Sequence, residues 1–336
     1  MPALDATLTP WPELAARHPC DALLLGNGAS RAVWKPFGYF SLFEEAQRAG
    51  RKKGLAVSDQ ALFKSLGTEL FEPVLSALNT TVRANAALAI NSTAPLNRYY
   101  SIKEGLIHAV RTVHLPWSLM PATTLAALNQ ALRGYRSIYT SNYDLLLPWA
   151  VQHAPQGFAN LFDEQGFFDV RRTRSEGTQV LHLHGGLHLL KLPDGTTRQR
   201  SADNAELLDG FAVNIPAEVP LFVNEDRSDE KLRAIRNSDY LSWCLGQLAR
   251  ESQGLCLFGQ HLDSSDQHLL EAIRQARPQH LSIAIRPLSE ASVINQKQHY
   301  IDRFGNLAGT QVHFFDASTH PLGLAALAIE MPLNRR

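Results

Sequence analysis

Short runs of mostly apolar residues recur along the chain, and most are followed closely by Gly, Asn or Asp. Such runs are typical of strands buried on both faces of a sheet. Between them, apolar residues recur at intervals of three and four, which predicts helices. Strands that alternate with helices favour a Rossmann-like, doubly wound α/β fold with a mainly parallel sheet. The seven predicted strands lie at 22–25, 137–140, 180–183, 221–223, 255–258, 281–285 and 312–315.

One interval between predicted strands is too long for a single crossover helix. Residues 41–134 carry only helical signals, among them apolar spacing at 71–78, a capping box from Ser101 to Glu104 and a Leu-rich segment that ends at Gly134. We therefore predict one α/β domain over residues 1–336, with a helical insertion at 41–134. The polar segment 191–204 contains Pro-Asp-Gly and predicts a surface hairpin or loop.

Composition excludes several classes of partner. The 336 residues include 32 Lys+Arg and 32 Asp+Glu, so zero net charge gives no long-range attraction to nucleic acid or to anionic membranes. No apolar stretch approaches the roughly 18–20 residues that span a bilayer, and the first residues do not form a secretory signal. The 3 cysteines are widely spaced, which predicts neither a disulfide framework nor a Cys-x-x-Cys metal module. We expect a cytoplasmic protein.

Polar residues follow four of the predicted strands. The first strand runs into Gly26–Ser30, where glycines would let the backbone approach a pyrophosphate near a helix N-terminus. Tight turns without ligands use the same residues, and the third glycine of the standard dinucleotide fingerprint is absent. Because ligands bind at the carboxyl ends of parallel strands, we expect the four turns to share one cleft. The other three turns are Thr140–Asp144, Leu183–Gly186 and Gly259–Asp266.

Three histidines surround the third of these turns. On a strand, His182 and His184 would project to the same face, because side chains alternate along a strand. His188 is the nearest third imidazole, and paired imidazoles can hold zinc. The carboxylate that usually accompanies such a pair is missing, so no metal ligand is assigned.

In their order along the chain, these turns resemble the NAD-binding core of the sirtuin superfamily. The segments that carry the resemblance are Gly26–Ser30, Thr140–Asp144, Leu183–Gly185 and Gly259–Leu262. Within the superfamily, a poorly characterised bacterial group of about this length is the most similar. Its pattern occurs here at Leu25–Gly28, Phe37–Tyr39, Asn142–Leu146, Pro220–Val223 and Ser238–Leu241.

The resemblance implies a role for each turn. Asn142 would lie beside the nicotinamide ribose and position a water or hold the ribose hydroxyls, Asp144 would meet the carboxamide, and His184 would bind a ribose hydroxyl and act as general base. Residues of the first turn would face the NAD pyrophosphate, namely Gly26, Asn27, Gly28, Ala29 and Ser30. Residues of the last turn would lie against the adenosine half, namely Gly259, Gln260 and His261.

The cysteines distinguish this chain from the sirtuin deacylases. Deacylases carry a four-cysteine zinc module after the His-Gly motif, whereas only Cys244 and Cys256 follow His184 here. The resemblance therefore points to the sirtuin-like NAD hydrolases, many of which serve bacterial antiphage defence. We predict a NAD+ glycohydrolase that releases nicotinamide and ADP-ribose, with NAD as substrate, no zinc and no other cofactor required.

Two alternatives stay open. The chain could be a non-catalytic module that senses NAD or ADP-ribose. This alternative is favoured by the turn after Gly259, where Gln260-His261 stands in place of the Thr-Ser pair that is common in the sirtuin superfamily. It could also be a metal-dependent hydrolase that uses His182, His184 and His188. Because an uncontrolled NAD hydrolase would harm its own cell, we also expect a homo-oligomer or a regulatory partner, with no nucleic acid and no membrane involved.

Overall fold

The structure is a computed structural model that describes residues 4–38, 42–48, 54–69, 71–174, 176–192, 194–200, 219–223 and 228–330. Tyr39, part of one sequence motif, lies outside these residues. The strands are β1 (Thr9–Pro10), β2 (Ala22–Leu25), β3 (Ser137–Thr140), β4 (Gln179–His182), β5 (Gly185–Lys191), β6 (Thr197–Gln199), β7 (Val219–Phe222), β8 (Gly254–Phe258), β9 (His280–Ile285) and β10 (Gln311–Asp316).

The helices lie mostly between the strands, as the apolar spacing predicts. They are α1 (Trp11–Arg17), α2 (Asn27–Val33), α3 (Leu42–Arg48), α4 (Val57–Leu66), α5 (Phe71–Ala87), α6 (Thr93–Val113), α7 (Ala122–Leu132), α8 (Leu146–His153), α9 (Ser228–Arg236), α10 (Asp239–Leu248), α11 (Gln267–Ala276) and α12 (Glu290–Phe304).

A seven-stranded parallel sheet forms the centre of the fold. Its strand order is β1-β10-β9-β8-β2-β3-β4, and each neighbouring pair runs parallel. The predicted Rossmann-like α/β class is confirmed. β2 lies between β3 and β8, and all four of its residues are buried because helices cover both faces of a parallel sheet.

Six of the seven predicted strands belong to this sheet, and the seventh does not. The predicted strand 221–223 corresponds to β7, which lies in a separate three-stranded sheet of order β6-β5-β7. The reason is the turn after β4. Gly185 has φ +78, and a side chain there would collide with the Leu221 carbonyl, so glycine lets β5 leave the main sheet and run beside β7.

The remaining position in the main sheet is filled by β1, which the apolar pattern does not predict. This strand has only two residues, and Thr9 and Pro10 pair with Phe315 and Asp316. A proline is tolerated there because an edge strand need not donate on both sides. The predicted hairpin after Lys191 is present, since β5 and β6 pair antiparallel; residues 201–204 of that prediction lie outside the described ones.

The chain divides into two compact units. Of the described residues, the first unit holds those within 1–35, 120–202 and 220–336, and the second holds those within 36–119 and 203–219. The first unit contains both sheets. Its core includes Leu24 on β2, Ile283 on β9 and Ile273 on α11, all completely buried.

The second unit is helical. Its core includes Phe63 of α4, whose ring lies 4.8 Å from that of Phe43 and 5.2 Å from that of Phe71. The predicted capping box at Ser101 is wrong, because α6 begins eight residues earlier, at Thr93. The Ser101 hydroxyl instead donates to buried Asp59, 2.5 Å away.

The cysteines are free, which confirms the absence of a disulfide framework. Cys244 and Cys256 are buried and Cys20 is partly exposed. Among the described residues, no helix is long and apolar enough to cross a membrane.

Candidate functional site

The turns predicted to share a cleft do lie at one edge of the sheet. β8, β2, β3 and β4 are neighbours in that order, so their carboxyl ends lie side by side. The strand order reverses between β2 and β8. From β2 the chain adds β3 and β4 on one side, and from β8 it adds β9 and β10 on the other side. Open α/β sheets bind ligands at such a switch point.

The glycine turn after β2 is bonded directly to the turn after β8. The Gly26 N–H donates to the Phe258 carbonyl at 3.0 Å and the Gly28 N–H donates to the Gly259 carbonyl at 2.8 Å. The Ala29 N–H donates to the Gly26 carbonyl at 2.9 Å. Protein carbonyls thus occupy three of the N–H groups that the sequence offers for a pyrophosphate.

The same packing explains why these positions are glycine. A Cβ on Gly28 would lie 2.7 Å from the Gly259 Cα, and one on Gly26 would lie 2.5 Å from the Gln260 Cα. Gly259 itself has φ +69, and a Cβ there would lie 2.7 Å from the Gly28 carbonyl carbon. Close approach of the two turns therefore requires all three glycines, with or without a ligand. Asn27, between the first two, is exposed.

Helix α12 holds the last turn in place. The Tyr300 hydroxyl donates to the Gln260 carbonyl at 2.5 Å, and Arg303 Nε donates to the Leu262 carbonyl at 2.8 Å. Between them, His299 Nε2 lies 2.6 Å from the His261 carbonyl. The exposed His261 ring stacks on that of His299, with centroids 4.1 Å apart. Three successive carbonyls are thus fixed from one helix.

Asn142 joins the turn after β3 to the turn after β2. Its Nδ2 donates to the Gly26 carbonyl and to Ser30 Oγ, both at 2.9 Å. Ser30 Oγ donates to Asp144 Oδ2 at 2.5 Å, and Asp144 Oδ1 accepts the Leu146 N–H at 2.9 Å. Asn142, Ser30 and Asp144 are all buried. Asp144 thus binds the N–H of the first residue of α8, although the N-cap residue is Leu145, and Asn142 makes no such bond.

Burial raises the pKa of Asp144, although the hydrogen bonds from Ser30 and Leu146 act in the opposite direction. Taking a carboxylate out of water disfavours its charged form, so the protonated form persists to a higher pH than in a free carboxyl. In the structure both oxygens of Asp144 already accept hydrogen bonds, from Ser30 and from the Leu146 N–H.

A second chain of hydrogen bonds runs through Ser141. Its hydroxyl donates to Gln260 Oε1 at 2.7 Å, and Gln260 Nε2 donates to Asp266 Oδ2 at 2.9 Å. The other carboxylate oxygen of Asp266 accepts from Lys231 Nζ at 3.0 Å. Lys231 also reaches Ser265 Oγ at 3.2 Å. Asp266 is the N-cap residue of α11, but its side chain makes no capping bond, because its carboxylate binds Lys231 and Gln260.

His184 is linked to a histidine that the sequence did not single out. β4 ends at His182, so His184 lies in the following turn and the strand alternation does not extend to it. His184 Nε2 is 2.8 Å from His268 Nε2 on α11, and His268 Nδ1 is 2.8 Å from Ser228 Oγ on α9. Both imidazoles are buried.

The partners constrain the tautomers of both rings. A hydrogen bond to the Ser141 backbone raises the pKa of His184, which is the effect of a carbonyl that accepts from the imidazole. If that bond is made from Nδ1, the other nitrogen, Nε2, accepts from His268. His268 Nδ1 then accepts from the Ser228 hydroxyl, whose oxygen in turn accepts the His268 backbone N–H at 2.9 Å. One hydrogen-bonded path runs from Ser228 to Ser141.

Both histidines are held neutral. Burial, together with the neighbouring His268 and Lys231, lowers the pKa of His184 well below its usual value. Burial and the Lys231 charge lower the pKa of His268 to about 4. A neutral imidazole keeps a lone pair at physiological pH, as a general base requires, but here these lone pairs accept hydrogen bonds from His268 and Ser228.

A surface pocket of about 470 Å³ opens beside this path. Its volume is in the range of small-molecule sites, about 300–1,000 Å³. Ser228, Ser265 and His268 line it, together with the carboxylates of Asp229 and Glu271. Ser264 and Ser265 of the lining belong to the predicted turn Gly259–Asp266, but none of the residues given a role in NAD binding or catalysis is in the lining. His268 is the group that joins the pocket to His184.

The other two histidines of the sequence motif form a separate pair. The rings of His182 and His188 are 4.6 Å apart, and both are buried with pKa values lowered by burial. His184 points away from them toward His268. Within the described residues, the groups of three potential metal ligands are His184 with Asp266 and His268, and a separate cluster of His18, His280 and His313.

The family described as Domain of unknown function (DUF4917) matches residues 23–322. The chain is a DUF4917 protein. Comparison with curated proteins finds no similar sequence. The DUF4917 match extends over every strand that contributes to this edge of the sheet and over all of the candidate site residues, from Gly26 to His268.

Sequence reasoning missed three residues of the candidate site, namely His268, Ser228 and Lys231, and assigned no role to a fourth, Asp266. Asp266 had a signal, because it ends the polar turn after β8, and its side chain reaches Gln260. His268 lies on α11, where a lone polar residue gives no local signal, and its side chain reaches His184. Ser228 and Lys231 lie on α9, distant in sequence from every other site residue, and only the folded chain brings them to the edge.

Proposed function

We propose that this edge of the sheet binds NAD and hydrolyses the bond between its ribose and nicotinamide, releasing nicotinamide and ADP-ribose. The observation that carries the proposal is the direct hydrogen bonding of the four strand-end turns to one another. Asn142 bonds to Gly26 and Ser30, and Ser141 bonds to Gln260 and His184. The residues that resemble the sirtuin NAD core thus form one connected network.

The reaction needs few catalytic groups, because nicotinamide is a cationic leaving group that departs with the electron pair of the C–N bond. Water then forms the new bond to ribose C1′, and its proton must be taken up. His184 Nε2 offers the lone pair, once its hydrogen bond to His268 opens. His268 and Ser228 continue the path to the pocket. Proton uptake by a positioned base contributes about 10²–10⁴-fold to a rate.

The charge of the pocket fits one end of NAD better than the other. Asp229 and Glu271 are in its lining, and Asp229 also pairs with Arg233 at 3.4 Å. The two carboxylates would attract the cationic nicotinamide ring and repel the pyrophosphate, an effect that the charge of Arg233 reduces. We therefore propose that the pocket receives the nicotinamide end of NAD. Asn142 would position the ribose or the attacking water.

A direct test measures nicotinamide release from NAD by the purified protein. We expect Asn142→Ser and His184→Gln to lower the rate by about 10²-fold or more, because each removes a group that acts on the reacting ribose. The matched control is Asn129→Ser. Asn129 is also a buried asparagine whose Nδ2 donates to two carbonyls, those of Ala150 and Ala154, at 2.7 and 2.9 Å, but it lies on α7.

Two results would refute the hydrolase. One is no nicotinamide release by the wild-type protein, alone or in an assembled or activated form; the other is equal losses in Asn142→Ser and Asn129→Ser. A second candidate function, a NAD or ADP-ribose sensor, is favoured by one observation: the polar groups of Asn142, Asp144 and His184 already bond to the protein. A sensor would show saturable binding of NAD by calorimetry with no turnover. A role in antiphage defence is expected only from the resemblance to the sirtuin-like NAD hydrolases. If the chain is a sensor, that role is tested by identifying a partner whose activity changes when the chain binds NAD.

A further inference from the structure

Three histidines lie together at the amino-terminal edge of the sheet, opposite the candidate site. His18 follows α1, His280 is the first residue of β9, and His313 is the third residue of β10. In the parallel ladder Gln311 is opposite His280, so His313 lies two residues further on and projects from the same face as His280. The His18 ring lies 3.9 Å from that of His313 and 4.7 Å from that of His280.

The spacing of their nitrogens suits a shared ligand better than a hydrogen bond. His280 Nδ1 and His313 Nε2 are 3.4 Å apart. That exceeds the usual N···N or N···O hydrogen bond of about 2.7–3.2 Å. Two nitrogens each about 2.0–2.1 Å from a tetrahedral zinc ion are about 3.3–3.4 Å apart. One ligand atom from each of the three histidines lies within 4.8 Å of the other two.

We propose that His18, His280 and His313 bind one zinc ion. Three imidazoles are a common ligand set for this borderline metal, which accepts nitrogen readily. The three side chains are partly exposed, so ions can enter and water can complete the tetrahedron. The ion ties the segment after α1 to β9 and β10, so its role is to stabilise this edge. The earlier expectation of no zinc came from the missing four-cysteine module, which uses different residues.

The other group of three potential ligands has the opposite character. His184 Nε2 and His268 Nε2 are 2.8 Å apart, which is a hydrogen-bond distance and leaves a proton between them. The carboxylate of Asp266 is already held by Lys231 and Gln260. A cation there would also meet the charge of Lys231. The zinc proposal therefore concerns the amino-terminal edge alone.

The test uses the full chain, stripped with a chelator and titrated with zinc by calorimetry. We expect one zinc per chain, a rise in Tm of a few degrees with metal in excess, and absorption bands of tetrahedral cobalt when Co²⁺ replaces zinc. His280→Gln and His313→Gln should each weaken binding by at least about 100-fold, since even outer partners of a metal ligand contribute about 10–100-fold. Tm without metal reports whether each variant is folded.

The matched control is His299→Gln, because His299 is also a surface histidine stacked on another histidine, His261. It should bind zinc like the wild type. The proposal is overturned if the wild-type protein binds no stoichiometric zinc, or if both ligand variants bind it as tightly as the wild type. Loss of binding in His299→Gln or in His268→Gln alone would place the ion elsewhere and overturn it equally.

Discussion

The two edges of the main sheet hold histidines in different chemical settings. At the carboxyl edge, His184 and His268 are buried, their nitrogens are 2.8 Å apart, and burial, assisted by the charge of Lys231, lowers the pKa of both. At the amino edge, His280 and His313 are partly exposed and their nitrogens are 3.4 Å apart. The nitrogen–nitrogen distance is thus 0.6 Å longer in the amino-edge pair. The shorter distance fits a hydrogen bond, and the longer one fits two nitrogens that bind the same metal ion.

The backbone around the two pairs differs as well. At the carboxyl edge, the turns after β2 and β8 touch through glycines that leave no room for a side chain. Before β10, at the amino edge, Gly309 also has a positive φ, +85, but nothing lies within 4 Å of the position that its Cβ would take. The turns at the carboxyl edge are thus tightly packed, which favours a fixed catalytic or binding geometry. At the amino edge the turn at Gly309 lies in open space, whereas Gly254 at the start of β8 is packed against Pro19 and Cys20.

The largest effect expected from this contrast is on stability. Gly259→Ala should lower the free energy of unfolding by about 3 kcal/mol, because strain at positive φ adds to a collision with the Gly28 backbone. Gly309→Ala carries a similar backbone strain without the collision, so about 1 kcal/mol is expected. Urea unfolding of both variants measures the difference. Equal losses would show that the turns after β2 and β8 can separate without cost.

A smaller effect is expected on the dependence of stability on pH. The folded pKa of His268 is about 4, below its ordinary value of 6.5. Between these values the unfolded chain binds more protons, so stability falls as pH drops below about 6.5 and the loss ends near the folded pKa. By pH 5 this histidine should cost about 1–2 kcal/mol. His268→Gln should remove that share.

If the free energy of unfolding of His268→Gln depends on pH as steeply as that of the wild type, then His268 does not stay neutral in the folded protein. The two edges would then differ in packing and nitrogen spacing but not in this electrostatic property.

The smallest effect concerns the charge beside the carboxyl-edge pair. Lys231→Gln removes a positive charge that lowers the pKa of both His184 and His268, so both pKa values should rise. NMR titration of the imidazole signals measures them. His320 is the internal control, because burial alone lowers its pKa, to about 3. A rise in His320, or none in the pair, would contradict the role given to Lys231.

Much of the fold could be predicted because periodicity is a local property. Six strands of the parallel sheet follow from apolar runs such as Ala22–Leu25 and Ser137–Thr140, whose observed bounds match the prediction. The two-residue strand β1 has no such pattern, since it is defined only by its pairing with β10. The same limit misplaced β7, because strand pairing depends on the turn at Gly185 rather than on the strand itself.

For the site, the sequence could indicate residues but not their partners. Asn142, Asp144 and His184 were indicated by their positions after strands, and the structure connects each to a neighbouring turn. His268, Ser228 and Lys231 are on helices, where a lone polar residue gives no local signal. Nor could spacing reveal that His18, separated from β9 by most of the chain, meets His280. The predicted NAD chemistry stays a prediction until nicotinamide release is measured.

The pairing of β1 with β10 has a consequence for biosynthesis. Thr9 and Pro10 are synthesised well before their partners Phe315 and Asp316, because most of the described chain lies between them. Domains generally fold as units during synthesis, and contacts between distant segments form late. The nascent chain must therefore carry β1 without its partner until β10 has been made, and β2 waits in the same way for β8. A chaperone that shields the apolar strand β2 would act before the two edges of the sheet are complete.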